Sequence, residues 1–167
     1  MKTLIDIINE KLIINKNIKV PNTNPIIKYM TDLGCEYNKN SVLKKDSDPF
    51  FFDFKLSNQL KTKLSKFFNK INQDENLEQT INQMVINDHK VFIRLYDDGF
   101  RISLGSKTEE YLSNRTSIIY LDYDSSDSSM YFAPGKRIGT FFKDTGYDLY
   151  YQEIIQILDY IIKRYGK

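Results

Sequence analysis

Residues 91–104, with the sequence VFIRLYDDGFRISL, carry the strongest local signal for the fold. Apolar and polar side chains alternate on both sides of the central Asp97-Asp98-Gly99, which is the pattern of a half-buried strand. The Asp-Gly pair supplies the positive φ that a tight turn between antiparallel strands requires. This stretch therefore predicts a β-hairpin with one face in the core.

On both sides of the hairpin, apolar runs of sequence alternate with turn residues. Further strands are predicted at 50–56, 117–123 and 130–133, the last two around the polar loop 124–129. Helices are predicted at 3–14, 25–34, 57–73, 76–86 and 148–165, with a helical turn at 107–112 and a loop over 35–49. There is no βαβ alternation and no internal repeat. We therefore predict an α+β fold with an antiparallel sheet of about four to five strands, helices packed on one face, and a long C-terminal amphipathic helix.

The chain is divided into an N-terminal amphipathic helix over 1–20, a candidate leader, and a single α+β domain over 21–167. The length of 167 residues, with 41% apolar and 14% aromatic residues, excludes a disordered tail, a collagen-like repeat and a disulfide scaffold. Cys35 is the single cysteine, which indicates a reduced, intracellular setting. No apolar run approaches the roughly 20 residues that span a bilayer, so no membrane segment is predicted.

The net charge of +2 conceals two halves of opposite sign. Residues 1–73 carry 13 lysines against 7 acids, and residues 74–167 carry 11 basic against 15 acidic residues. Four lysines fall in the helix predicted over 57–73: Lys61, Lys63, Lys66 and Lys70. They lie next to Phe67 and Phe68 and could follow a phosphate backbone, which predicts weak nucleic-acid binding. The alternative is the solvated face of a core helix.

An acidic tract follows the strand predicted over 117–123. Asp122 and Asp124 project from the same side of an extended segment, and Asp127 follows in the loop. They could face a basic partner, or simply form a solvated loop. The tract lacks the glycine and the bidentate glutamate of a calcium loop, so we predict no metal and no cofactor.

His89 is the only histidine, and it lies between the helix predicted over 76–86 and the hairpin. With Arg94 or Arg101 it could provide the acid–base and phosphate-binding groups of a small ribonuclease. The alternative is an exposed histidine, with both arginines paired to acids. No second mark of catalysis accompanies it, and the sequence favours a protein that is not an enzyme.

The first twenty residues, MKTLIDIINEKLIINKNIKV, resemble the leader of many proteins encoded by tailed phages with AT-rich genomes. Met1-Lys2-Thr3 followed by Ile8-Asn9-Glu10 is similar to the head-targeting peptides of internal head proteins in large tailed phages. In those families the leader docks the protein inside the prohead, and a phage protease cuts after a glutamate. The resemblance implies Glu10 as the processing position, and it covers 20 of the 167 residues.

Together these features favour a non-enzymatic phage protein, virion-associated or packaged, that binds a capsid component, a host factor or nucleic acid. The alternative is a cytoplasmic toxin-immunity or anti-defence protein that neutralises a nuclease-type target. A small ribonuclease is the third hypothesis. The expected location is the cytoplasm of the bacterial host or the virion.

Overall fold

The computed structural model describes residues 25–39, 51–106, 118–135 and 147–167, and the side chains of the last segment from Tyr150 onward. The helices of these segments are α1 Pro25–Asp32, α2 Asn58–Gln73, α3 Glu75–Asn82 and α4 Tyr147–Tyr165. Their strands are β1 Glu36–Tyr37, β2 Phe52–Lys55, β3 Val85–Ile86, β4 His89–Tyr96, β5 Gly99–Ser106, β6 Ile119–Asp124 and β7 Ser129–Pro134. The predicted α+β class is confirmed. The helix predicted over 3–14, Glu10 and the helical turn predicted over 107–112 lie outside the described residues.

All seven described strands belong to one antiparallel sheet, in the order β1-β2-β7-β6-β5-β4-β3. The prediction of four to five strands is therefore wrong in number. The two strands it missed, β1 and β3, have two residues each and lie at the two ends of this order. Two residues are too few to show alternation, so only the register with a neighbouring strand reveals them.

The strand β3 also corrects the helix predicted over 76–86. Helix α3 ends at Asn82, and Val85–Ile86 pair instead with the start of β4. The chain reverses through Asn87 and Asp88, whose φ angles are 48° and 67°. Asparagine and aspartate tolerate this left-handed region better than most residues, which lets a tight hairpin replace the last helical turn.

The helices pack on the apolar face of the sheet through aromatic contacts. Phe67 of α2 lies 5.2 Å from the ring of Phe100 on β5, and Tyr151 of α4 lies 5.4 Å from the ring of Phe52 on β2. All four of these residues are buried. The alternation of β4 and β5 places their polar residues on the opposite face.

Helix α2 starts where the sequence predicts. Ser57 is its N-cap: the Oγ accepts a hydrogen bond from the Leu60 N–H at 3.3 Å and donates one to the Leu33 carbonyl at 2.9 Å. Leu33 follows α1, so this one hydroxyl fixes the start of α2 against the end of α1. Among the described residues, no helix combines the length and the hydropathy needed to cross a bilayer.

Candidate functional site

The four predicted lysines do not form one row on α2. At about 100° per residue, Lys63, Lys66 and Lys70 fall within a sector of about 60°, whereas Lys61 lies at least about 140° away. Lys66 and Lys70 are exposed, and Lys63 is half-buried. Three lysines thus share one side of the helix.

The C-terminal end of α4 meets this side of α2. The Nζ of Lys70 donates a hydrogen bond to the carbonyl oxygen of Tyr165 at 3.2 Å. Gly166 packs so closely on Lys63 that a Cβ placed on the glycine would lie 2.9 Å from the lysine Cβ. The lysines of α2 are therefore continuous with the end of α4.

The end of α4 adds cations of its own around an open groove of about 720 Å³. The groove is lined by Gln156, Asp159, Tyr160, Lys163, Arg164, Tyr165 and Lys167. Three of these seven residues are cationic and one is acidic. We call the groove together with Lys63, Lys66 and Lys70 the α2–α4 surface.

Asp159, the one acid among the described residues that line the groove, already has partners. Asp159 accepts a hydrogen bond from the Tyr29 hydroxyl at 3.1 Å and forms an ion pair with the Nζ of Lys163 at 2.8 Å. These contacts tie the groove to α1 and offset one charge. The other two cations of the lining, Arg164 and Lys167, leave the described lining with a net positive charge.

Two tyrosine rings lie among these cations. The Arg164 guanidinium lies 5.9 Å from the ring centroids of both Tyr160 and Tyr165, and the two rings are 6.3 Å apart at 81°. Burial raises the pKa of Tyr160, so its phenol stays neutral at physiological pH. The surface thus combines cations with uncharged aromatic rings.

The backbone at this end of α4 opposes an anion, because a helix C-terminus carries about half a negative charge. Lys163 and Arg164 in the last turn offset that partial charge and stabilise the helix. With Lys167 and the α2 lysines added, the local charge remains well on the positive side. An anionic ligand is therefore favoured here despite the helix dipole.

The acidic tract has separate structural roles. Asp122 accepts hydrogen bonds from Nε and Nη2 of Arg101 at 2.8 and 2.7 Å, and the guanidinium lies 4.1 Å from the Tyr120 ring centroid. Asp124 instead stabilises the β6–β7 turn, since its Oδ1 accepts from the Ser126 N–H and hydroxyl at 2.9 and 2.6 Å. Hydrogen bonding from Ser126 lowers the Asp124 pKa.

Asp127 is the exposed member of the tract, in the turn after β6. Asp122 and Asp124 do share a face, as predicted, but each has its own partner. No group of three or more histidine, cysteine or acidic side chains in the described segments is arranged to hold a metal ion.

His89 pairs with a residue that the sequence analysis did not select. Its Nδ1 lies 2.7 Å from Oε2 of Glu153, a fully buried carboxyl on α4. Burial raises the Glu153 pKa, and hydrogen bonds from His89 and Asn87 partly offset that rise. The 64-residue separation explains why no local pattern could predict this pair.

The structure does not bring His89 together with Arg94 and Arg101. His89 contacts α4 on the helix-covered face, whereas the two arginines oppose each other in the β4–β5 register on the other face. Side chains alternate between the two faces of a strand, and residues 89 and 94 are five positions apart, so they lie on opposite faces. The hairpin therefore keeps His89 away from the two arginines. Arg101 pairs with an acid, as the alternative prediction had it.

The residues that sequence reasoning missed are those at the end of α4. Lys163 and Arg164 form a basic last turn and Lys167 follows the helix, which is a signal visible in the sequence that the apolar stripe of this helix does not convey. Fold and surface together define an α+β protein with a cationic, aromatic groove. Comparisons with protein families, curated proteins and solved structures find nothing that matches this chain.

Proposed function

We propose that this chain is a non-enzymatic binding protein that contacts nucleic acid through the α2–α4 surface. The observation that carries the proposal is the hydrogen bond from Lys70 to the Tyr165 carbonyl, which joins the cations of two helices into one patch. Phosphates spaced along a chain need cations from more than one element, and aromatic rings beside them suit the bases.

The separation of His89 from Arg94 and Arg101 supports binding over the ribonuclease hypothesis. A histidine acid or base must lie within hydrogen-bond reach of the phosphate that an arginine holds. Here the two kinds of side chain lie on opposite faces of one sheet.

The proposal extends to origin and location through the resemblance of residues 1–20. On this proposal a tailed phage encodes the chain, 21–167 fold as one domain, and the protein resides in the virion or the host cytoplasm. A packaged protein lies against concentrated phage DNA, which suits a cationic surface. Mass spectrometry of purified virions should detect the protein, with Lys11 as its first residue if Glu10 is the processing position. Absence from particles would overturn the packaging part.

The binding proposal is tested by fluorescence anisotropy with a labelled 30-nucleotide DNA over a range of salt concentrations. Because Lys163 is paired with Asp159, the other five described cations of the surface give a slope of log K against log salt of about −3.5 for a single strand. The K63Q/K66Q/K70Q variant should reduce this slope by about 2 and the affinity at 0.1 M salt by about a hundredfold.

The matched control removes three charges from other elements, in the K28Q/K55Q/K90Q variant. These lysines lie on α1, β2 and β4 and belong to neither helix of the surface. This variant should bind like the wild-type protein. A salt-independent affinity, or equal losses in the two triple variants, would overturn the proposal.

One observation favours the inhibitor hypothesis as a second candidate. The β4–β5 and β6–β7 turns adjoin, because the Ser125 N–H and hydroxyl both donate to the Asp98 carbonyl at 2.7 Å. This brings Asp97 and Asp98 to the same end of the sheet as the exposed Asp127, giving an acidic edge that could mimic a nucleic-acid backbone. If a toxin gene adjoins this one, the D97N/D98N/D127N variant should fail to protect cells from that toxin. Full protection by the variant would exclude this candidate.

A further inference from the structure

The groove of the α2–α4 surface contains a buried hydrogen-bond donor that is not satisfied. Gln156 lines the groove although only 2% of its surface is exposed. Its Nε2 makes no hydrogen bond with any of the residues that the structure describes. A buried donor without an acceptor costs on the order of 1–3 kcal/mol, so natural proteins rarely retain one without a reason.

The surroundings of this donor define the chemistry of a ligand. The volume of about 720 Å³ is within the range of small-molecule sites, roughly 300–1,000 Å³. Arg164 and Lys167 favour an anionic group, and the rings of Tyr160 and Tyr165 offer surfaces for a flat one. A nucleotide provides all three features: its phosphate is an anion, its base is a flat ring, and the base carries hydrogen-bond acceptors.

We propose that the groove takes one unstacked base of a single-stranded nucleic acid, with a base carbonyl accepting the hydrogen bond of Gln156 Nε2. The base then lies against the tyrosine rings, and the adjoining phosphate lies near Arg164 and Lys167. The proposal rests on the proposed nucleic-acid binding and specifies its substrate as single-stranded.

A duplex cannot use this site without losing a base pair. Its bases are stacked, and their hydrogen-bonding edges are occupied by the opposite strand, so extrusion costs a few kcal/mol. A single strand presents its bases freely, and stacking on an aromatic ring contributes about 1–3 kcal/mol per base. The lysines of α2 bind both forms through phosphates, so the preference for a single strand arises in the groove.

Gln152 provides a matched control for Gln156. It lies one helical turn earlier on α4, is 4% exposed, and also has a buried atom without a partner, its Oε1. Gln152 is not among the residues that line the groove. A general effect of removing a buried amide should therefore be equal in Q152L and Q156L, whereas a ligand contact should be lost only in Q156L.

The experiment compares a labelled 20-nucleotide oligothymidylate with a duplex of the same length by fluorescence anisotropy at constant salt. Wild-type protein should bind the single strand at least tenfold more tightly. Q156L should lose about tenfold in affinity for the single strand, the effect of one hydrogen bond to a buried donor, and retain its duplex affinity and salt slope. Q152L should bind both probes like the wild-type protein.

A second measurement needs no variant. Photocrosslinking of the same oligonucleotide with 5-iodouracil at every position, followed by mass spectrometry, should label Tyr160 or Tyr165. Equal affinity for single strand and duplex, crosslinks confined to other residues, or full competition by poly-glutamate at equal charge would each overturn the base site and leave phosphate binding intact. Failure to bind either probe would overturn the proposed function itself.

Discussion

Removal of the Asp122 carboxylate should destabilise the protein more than removal of any other acid in the β6–β7 region. Asp122 and Arg101 form two parallel charge-assisted hydrogen bonds of 2.8 and 2.7 Å. Their side chains are 11% and 19% exposed, so the pair is mostly, but not fully, out of water. The D122A variant leaves the guanidinium beside an apolar methyl group.

The magnitude follows from that burial. Breaking a fully buried pair costs about 3–5 kcal/mol, and the residual exposure here reduces the expected loss to about 2–3 kcal/mol. At about 2–4 °C per kcal/mol for a chain of this size, the Tm should fall by about 4–12 °C. D127A, which removes an exposed carboxylate from the adjoining turn, should change stability by less than about 0.5 kcal/mol.

The assay is urea denaturation of the wild-type protein, D122A, D127A, R101M, D122L and the R101M/D122L double variant. Because the double variant removes both charges, it should recover much of the loss that each single variant shows, with a coupling of more than about 1.5 kcal/mol. If the two single effects add without coupling, or if D122A costs no more than D127A, then Asp122 is not held by Arg101. In that case Asp122 would again be a candidate for binding a basic partner.

Three further predictions concern single positions. Burial raises the Glu153 pKa, so the stability from its protonated form is present below the unfolded pKa and lost as pH rises through the folded value. The stability of E153Q relative to the wild-type protein should therefore increase as the pH rises above the ordinary glutamate pKa of about 4.5, by at most about 1.4 kcal/mol per pH unit in urea titrations, and parallel curves would contradict this. S57A should lose about 1–2 kcal/mol in thermal denaturation, because the Leu60 N–H loses its cap, whereas S57T, which keeps a hydroxyl that can accept from Leu60 and donate to Leu33, should retain most of the stability; equal losses would exclude capping. G99A would place a Cβ 1.8 Å from the Tyr123 carbonyl oxygen, so it should cost more than about 2 kcal/mol; a Tm within 2 °C of wild type would refute this contact.

Local signals were sufficient for much of the fold. The β4–β5 hairpin follows from its alternation, and the start of α2 follows from Ser57 as its cap. The predicted reason for the hairpin turn is wrong: Gly99 pairs with Tyr96 in the ladder, which leaves Asp97 and Asp98 as the turn residues, and none of these three is among the described residues with a positive φ. Each signal lies within a few residues of the structure that it specifies. The edge strands β1 and β3 carry no such signal, because two residues show no period and their pairing depends on a neighbouring strand.

The candidate site could be predicted only in part, since its geometry depends on contacts between distant residues. The α2 lysines are visible in the sequence, but their junction with α4 is a contact across 95 residues. The pairing of His89 with Glu153 and of Arg101 with Asp122 similarly depends on helix docking and strand register. Composition and periodicity specify neither of these.

The short edge strands have a consequence for the behaviour of the protein at high concentration. A sheet grows by adding strands to its free edges, and a long flat edge is a template for intermolecular pairing. In the described sheet the two end strands, Glu36–Tyr37 and Val85–Ile86, have two residues each. Beyond them the edges of β2 and β4 are already engaged in part: the Asn38 N–H donates to the Asp53 carbonyl, the Val91 N–H to the Met84 carbonyl and the Ile93 N–H to the Asn82 side chain. Such edges give a neighbouring copy too few hydrogen bonds to extend the ladder, so the protein should tolerate crowding without forming fibrils.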